Sequence, residues 1–141
     1  MRSDIESFLS LHRIAMIGVS QDPKHFSRVV YRAWRDRGYD VIPVNPKMRE
    51  VESVFCYRSP AEIASPVDGA LLLTPAAASE EAVKECAAAG ILRVWLYRRS
   101  PAAEAFCVKN GLDLITGECP MMYLPNQAWP HRLHRWLHAR A

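Results

Sequence analysis

Short apolar runs alternate with helical patterns along this chain, and that alternation excludes most architectures before any single residue is weighed. Ile14-Ala-Met-Ile17 runs straight into Gly18, as a strand buried on both faces should. Asp40 to Val44, Gly69 to Leu73, Arg93 to Tyr97 and Leu112 to Ile115 repeat the theme. After the first run, Phe26, Val29, Val30, Ala33 and Trp34 fall at i, i+3, i+4, i+7 and i+8, one face of a helix over 26–37. Arg28, Arg32 and Arg35 lie off that face, and Gly38 is placed to end the helix. An alanine-rich helix follows from about Pro75 to Ala89, with Thr74 or Ser79 as its cap and Glu80 and Glu81 near its positive end. Ser100-Pro101 sets a capping serine before proline at the first helical position and opens a helix that ends before Gly111. Ile5, Phe8 and Leu9 predict a leading helix over 2–10, and Pro43 predicts an irregularity near the end of the second strand.

Strand and helix in this order imply right-handed crossovers and a doubly wound, mostly parallel sheet of five strands with helices on both faces. In such sheets ligands bind beyond the carboxyl ends of the strands, at the topological switch point. The candidate site therefore lies in the loops after residues 17, 44, 73, 97 and 115.

The chain has 141 residues, half of them hydrophobic, which suits one domain with a core over about 11–119 and a basic helical tail over about 120–141. A net charge of +3 favours small anions slightly and is too mild to argue for nucleic acid, which is not the expected partner. The first ten residues lack the apolar stretch of a signal peptide, and no run of roughly 18 apolar residues is present to span a bilayer. The expectation is a cytoplasmic protein with no membrane contact. Cys56, Cys86, Cys107 and Cys119 are scattered without a CxxC pair, so buried reduced thiols are expected in place of zinc ligands.

The first loop, Gly18-Val19-Ser20-Gln-Asp-Pro-Lys24-His-Phe-Ser27, places glycine directly after a strand and a helix amino end behind it. Unpaired N–H groups there suit an anion. Ser20 and Ser27 add hydroxyls and Lys24 a charge; a plain turn with a serine helix cap is the alternative. The dinucleotide fingerprint is absent, since two of its three glycines are missing, and neither a P-loop nor a nucleophile elbow fits. The second strand ends in Val44-Asn45-Pro46-Lys47, an amide and a cation where NAD-binding folds carry an acid for the ribose. A lysine there suits an adenosine with an extra phosphate, as in NADP or coenzyme A.

These segments resemble the small stand-alone coenzyme A-binding proteins, which are similar to the nucleotide-binding domain of the succinyl-CoA synthetase alpha subunit. The carriers are Ile14 to Ser20, Gly38-Tyr-Asp-Val-Ile-Pro-Val-Asn-Pro-Lys47, Pro66-Val-Asp68, Val94-Trp95, and Gly111 to Ile115 leading to Cys119. The resemblance implies a three-layer Rossmann-like fold with coenzyme A at the carboxyl edge of the sheet. It places Gly18, Val19 and Ser20 against the phosphates with Lys24 and Ser27 nearby. Asn45, Pro46 and Lys47 would flank the adenosine 3′-phosphate, and Thr74 and Pro75 would border the next crevice. The synthetase's phosphohistidine domain is absent, so that role is not carried over. This chain departs from the family at Tyr97-Arg98-Arg99, where a Gln and Gly segment is usual.

Other constellations read as structural. His131, His134 and His138 lie together in the tail, opposite Leu133, Trp136 and Leu137, with no carboxylate in the segment to support a metal site. Arg132, Arg135 and Arg140 make a cationic surface; Met121 to Leu124 and Trp129 read as packing residues. Cys119 reads as a core thiol ahead of a mixed-disulfide partner for the coenzyme thiol. No carboxylate pair, Ser-His-Asp set or metal spacing marks an active site. The expectation is a coenzyme A or acyl-CoA binding protein in a binding, carrier or sensing role. Its rivals are an NADP-dependent reductase or acyl-CoA-transforming enzyme using the same pocket, and an interaction module with a vestigial pocket. A homodimer or a protein partner stays open.

Overall fold

The computed structural model describes residues 2–124. Its elements are α1 (Arg2–Leu9), β1 (Arg13–Ile17), α2 (Phe26–Asp36), β2 (Asp40–Val44), β3 (Glu50–Val51), β4 (Val54–Phe55), β5 (Gly69–Leu72), α3 (Ala76–Ala88), β6 (Arg93–Leu96), α4 (Pro101–Lys109) and β7 (Asp113–Thr116), with a 3-10 turn at Pro60–Glu62. Five strands form one parallel sheet in the order β2-β1-β5-β6-β7. The α/β, doubly wound expectation holds.

The period-2 geometry of strands explains why the runs are apolar throughout. Ile14, Met16, Leu71, Leu73 and Trp95 face a cluster shared with α1 and α2. Their neighbours Ala15, Ile17, Ala70, Leu72, Val94 and Leu96 face a second cluster with α3 and α4. The first is built on aromatic rings: Phe8, Trp34 and Trp95 meet edge to face at centroid distances of 5.4 to 6.1 Å. The second is lined by small side chains such as Ala82, Ala103, Cys86 and Cys107.

Several details differ from expectation. Val30, Ala33 and Trp34 of the expected α2 face are buried, together with Ser27, Tyr31 and Arg28, whereas Val29 is 41% exposed. Arg28 goes inside because its guanidinium finds a carboxylate and two carbonyls there, as described below. Pro43 causes no break: β2 is an edge strand, and the Pro43 carbonyl accepts from Tyr57 N–H on the side away from β1. The short hairpin β3–β4 was not anticipated, its turn at Glu52 and Ser53 having positive φ without glycine. Strand β7 starts and ends one residue later than its apolar run. Ser100 caps α4 as expected, accepting from Ala103 N–H. Residues 120–122 form a turn, not the start of a helix, and Leu124 packs into the aromatic cluster. The histidine trio and the tail arginines lie outside the described residues. All four cysteines are free; Cys56, Cys86 and Cys107 are buried, whereas Cys119, expected as a core thiol, is only half-buried. Burial pushes the Cys86 thiol up to about 12 and raises Cys56 and Cys107, as inert core thiols should behave. Among the described residues, no helix is long and apolar enough to cross a membrane.

Candidate functional site

From β1 the chain crosses by α2 to β2 on one side, while β5 on the other side feeds α3 on the opposite face. A crevice must open between the carboxyl ends of β1 and β5. A cleft of about 810 Å³ occupies it, a volume suited to a cofactor-sized ligand. Gly18, Ser20 and His25 line it from the first loop, Asn45, Pro46 and Lys47 from the loop after β2, and Thr74 and Pro75 from the loop after β5. Arg58, Arg98 and the α3 carboxylates Glu81 and Glu85 complete the walls.

Gly18 makes the crevice narrow. Its φ is +90°, and a Cβ there would stand 2.9 Å from Thr74 N and 3.1 Å from Leu73 C, both backbone atoms. Only glycine allows the loop after β1 to lie against the end of β5.

The rest of the first loop is stitched to itself. Ser20 N–H donates to Ser27 Oγ (2.8 Å), Asp22 N–H to Ser20 Oγ (3.0 Å) and Lys24 N–H to Asp22 Oδ1 (2.9 Å). His25, not a serine, caps α2: its Nδ1 accepts from Ser27 N–H at 3.1 Å. Arg28, 7% exposed, grips the loop from beneath, donating to the carbonyls of Ser20 and Gln21 and to Glu52 on the β3–β4 turn. Arg32 joins Glu52 to the Pro23 carbonyl. Burial pushes the Glu52 carboxyl up, but its bonds to Arg28 and Arg32 outweigh that and hold it below the usual carboxylate range. Asn45 braces the two loops, donating from Nδ2 to the Val19 carbonyl (2.7 Å) and accepting Lys47 N–H at Oδ1 (2.8 Å).

The loop after β5 is built differently. Thr74 and Ser79 do not cap α3; their hydroxyls bond one another at 2.8 Å, and Ser79 donates to the Pro75 carbonyl. The cap position is Pro75 with no side-chain bond, and the first turn meets the cleft at Ala76 and Ala78. The first N–H groups of such a helix lack intrahelical partners and carry its positive end. Neither Glu80 nor Glu81 lies in that first turn.

Of the ten expected contact residues, Gly18, Ser20, Asn45, Pro46, Lys47, Thr74 and Pro75 line the cleft. Val19 is fully buried, Ser27 is buried as a loop strut, and Lys24 is exposed outside the lining. The arginine pair divides: Arg98 enters the cleft, held at 2.9 Å by the Leu73 carbonyl, while Arg99 bonds Glu104 at the start of α4. Cys119 follows β7, two strands from β5, and is not part of the lining. Sequence reasoning missed His25 and Arg58. His25 stood in a recognised loop, whereas Arg58 follows a hairpin that no periodicity announces.

Residues 12–125 match the CoA binding domain family. The chain belongs to that family. This CoA binding domain is 33% identical over 88 residues, 62% of its length, to the alpha subunit of an ADP-forming acetate–CoA ligase II of Pyrococcus furiosus, of which it spans 19%. It is 43% identical over 56 residues, 40% of its length, to an uncharacterised Bacillus subtilis protein, spanning 42% of it. The chain thus covers less than half of these curated relatives. Among solved structures, a hypothetical protein of Pyrococcus horikoshii superposes with a TM-score of 0.81 at 28% identity, covering 86% of this chain and 88% of that one. A Thermus thermophilus structure gives 0.78 at 28% identity, with 86% and 95% covered.

Proposed function

We propose that this CoA binding domain holds coenzyme A or an acyl thioester of it in the cleft between β1 and β5, in a binding, carrier or sensing role. The observation that carries this reading is a set of three cations, Lys47, Arg58 and Arg98, on the walls of one cleft at the switch point. None of the three forms an ion pair among the described residues. Coenzyme A brings a diphosphate and a 3′-phosphate to such a site, and charge-assisted bonds to phosphate are the strong ones. Lys47, after β2, is the residue expected beside the 3′-phosphate. The acetate–CoA ligation named for the ligase relatives belongs to far longer chains and is not part of this reading.

Calorimetric titration of the wild type and Lys47→Ala with coenzyme A, dephospho-coenzyme A, NADP and NAD tests it. Coenzyme A binds best, and loss of either the 3′-phosphate or Lys47 weakens binding about tenfold, the scale of one charged hydrogen bond. The two losses are not additive, because each removes the same contact. A preference for NADP would replace this reading with the reductase one. Failure of every nucleotide to bind would remove it.

A further inference from the structure

The hydrogen bonds around His25 determine which of its nitrogens carries the proton. Nδ1 accepts from Ser27 N–H at 3.1 Å, so it bears no hydrogen of its own. Ser27 Oγ lies 2.8 Å from the same nitrogen and therefore donates to it, while receiving Ser20 N–H on its other side. The neutral ring must then be the Nε2–H tautomer. That N–H finds no partner among the described residues, and His25 lines the cleft beside Gly18 and Ser20. A residue that only capped the helix would do so as well with asparagine or serine. Imidazole adds a donor on the far side of the ring.

We propose that His25 is a ligand-contacting residue, oriented and fixed in its tautomer by Ser27, whose Nε2–H donates to a phosphate oxygen of the bound coenzyme. The proposal rests on the reading of the cleft as a coenzyme A site. Ser27 is the positioning residue and does not touch the ligand. The first loop thereby serves the ligand through side chains, Ser20 Oγ–H and His25 Nε2–H, the amides of Ser20, Asp22, Lys24 and Ser27 being engaged by loop side chains. No proton is transferred and no bond is broken; His25 acts only as an oriented donor.

The two functions of the ring are separable by substitution. Asparagine in His25→Asn reproduces the Nδ1 acceptor at the cap and lacks the outer donor; glutamine in His25→Gln reaches the outer position and caps poorly. His25→Asn melts like the wild type and binds coenzyme A about tenfold more weakly. His25→Gln melts lower and keeps its affinity within about threefold. Side-chain nitrogen NMR of the ligand-free wild type shows the Nε2–H tautomer, and coenzyme A shifts that signal. Persistence of the asparagine defect with dephospho-coenzyme A places the contact on the diphosphate; its disappearance places it on the 3′-phosphate. Wild-type affinity in His25→Asn, affinities that follow melting temperature in both variants, or a proton on Nδ1 would each overturn the proposal. Wild type failing to bind coenzyme A would instead remove the reading of the cleft.

Discussion

Helices α2 and α3 begin at the same edge of the sheet, behind adjacent strands, yet their amino ends are finished in opposite ways. The loop before α2 engages most of its donors: Gly18 N–H goes to the Val44 carbonyl, His25 N–H to the Asp22 carbonyl, and the amides of Ser20, Asp22, Lys24 and Ser27 to loop side chains. The loop before α3 caps nothing; its two hydroxyls bond each other, and proline holds the cap position. A glycine-led first loop is usually read as a backbone cradle for phosphate. Here much of that loop's backbone is tied to its own side chains, while the neighbouring helix brings Ala76 and Ala78 of a first turn without a side-chain cap to the cleft. Glycine at position 18 serves approach to β5 more directly than approach to a ligand.

The largest expected effect comes from removing that approach. Gly18→Ala forces a Cβ to 2.9 Å from the Thr74 backbone at a φ of +90°. Strain and overpacking together should destabilise the fold by about 3 kcal/mol, measured by urea denaturation. Wild-type stability in this variant would show that the two loops separate freely and that the narrow crevice is not required.

Next in size is the clamp beneath the first loop. Glu52→Gln keeps the shape and removes the charge that Arg28 and Arg32 share, at a cost of about 1 kcal/mol at neutral pH. Glu52 titrates below its ordinary 4.5 in the fold, so its contribution is complete above the unfolded value and is lost as pH falls through the lowered one. The stability gap between wild type and variant should close over that acid window in a pH series of denaturation curves. A gap that persists in acid would mean the glutamine misfits sterically and the clamp is not electrostatic.

Much of the architecture was legible because one signal, a continuous apolar run, is imposed on β1, β2, β5 and β6 by two buried faces. Ile14 to Ile17 and Gly69 to Leu72 have no solvent side on which to place a polar residue. On α2 the expected Val30, Ala33 and Trp34 are buried, but Val29 is not and Arg28 is, for the complementary reason: Arg28 is held by partners 8 and 24 residues away, Ser20 and Glu52, and local pattern carries no record of them. The cleft divides along the same line. Lys47 and Thr74 follow their strands directly, so locating the strands located them. Arg58 and Arg98 reach the cleft only through the folding of the β3–β4 segment and the turn after β6. His25 was overlooked because Ser27 is the better cap by residue type; tertiary packing instead buried Ser27 and left the cap to the ring.

The smallest effect gives the sharpest test of the contrast, since it makes α3 resemble α2. Pro75 has extended backbone angles, φ −57° and ψ 150°, compatible with a capping serine. In Pro75→Ser the hydroxyl takes up a first-turn amide of α3. The cap contributes about 1 kcal/mol, and loss of proline's restriction on the unfolded chain removes about 0.4–1 kcal/mol, so stability stays nearly level. Affinity for coenzyme A should still fall by a few fold, because the hydroxyl draws on the positive end of the helix that meets the cleft. Calorimetry on this variant separates the two ends cleanly. A drop at constant stability places backbone donors of α3 at the ligand; unchanged affinity would leave the anion to the side chains of the first loop and to Lys47, Arg58 and Arg98 alone.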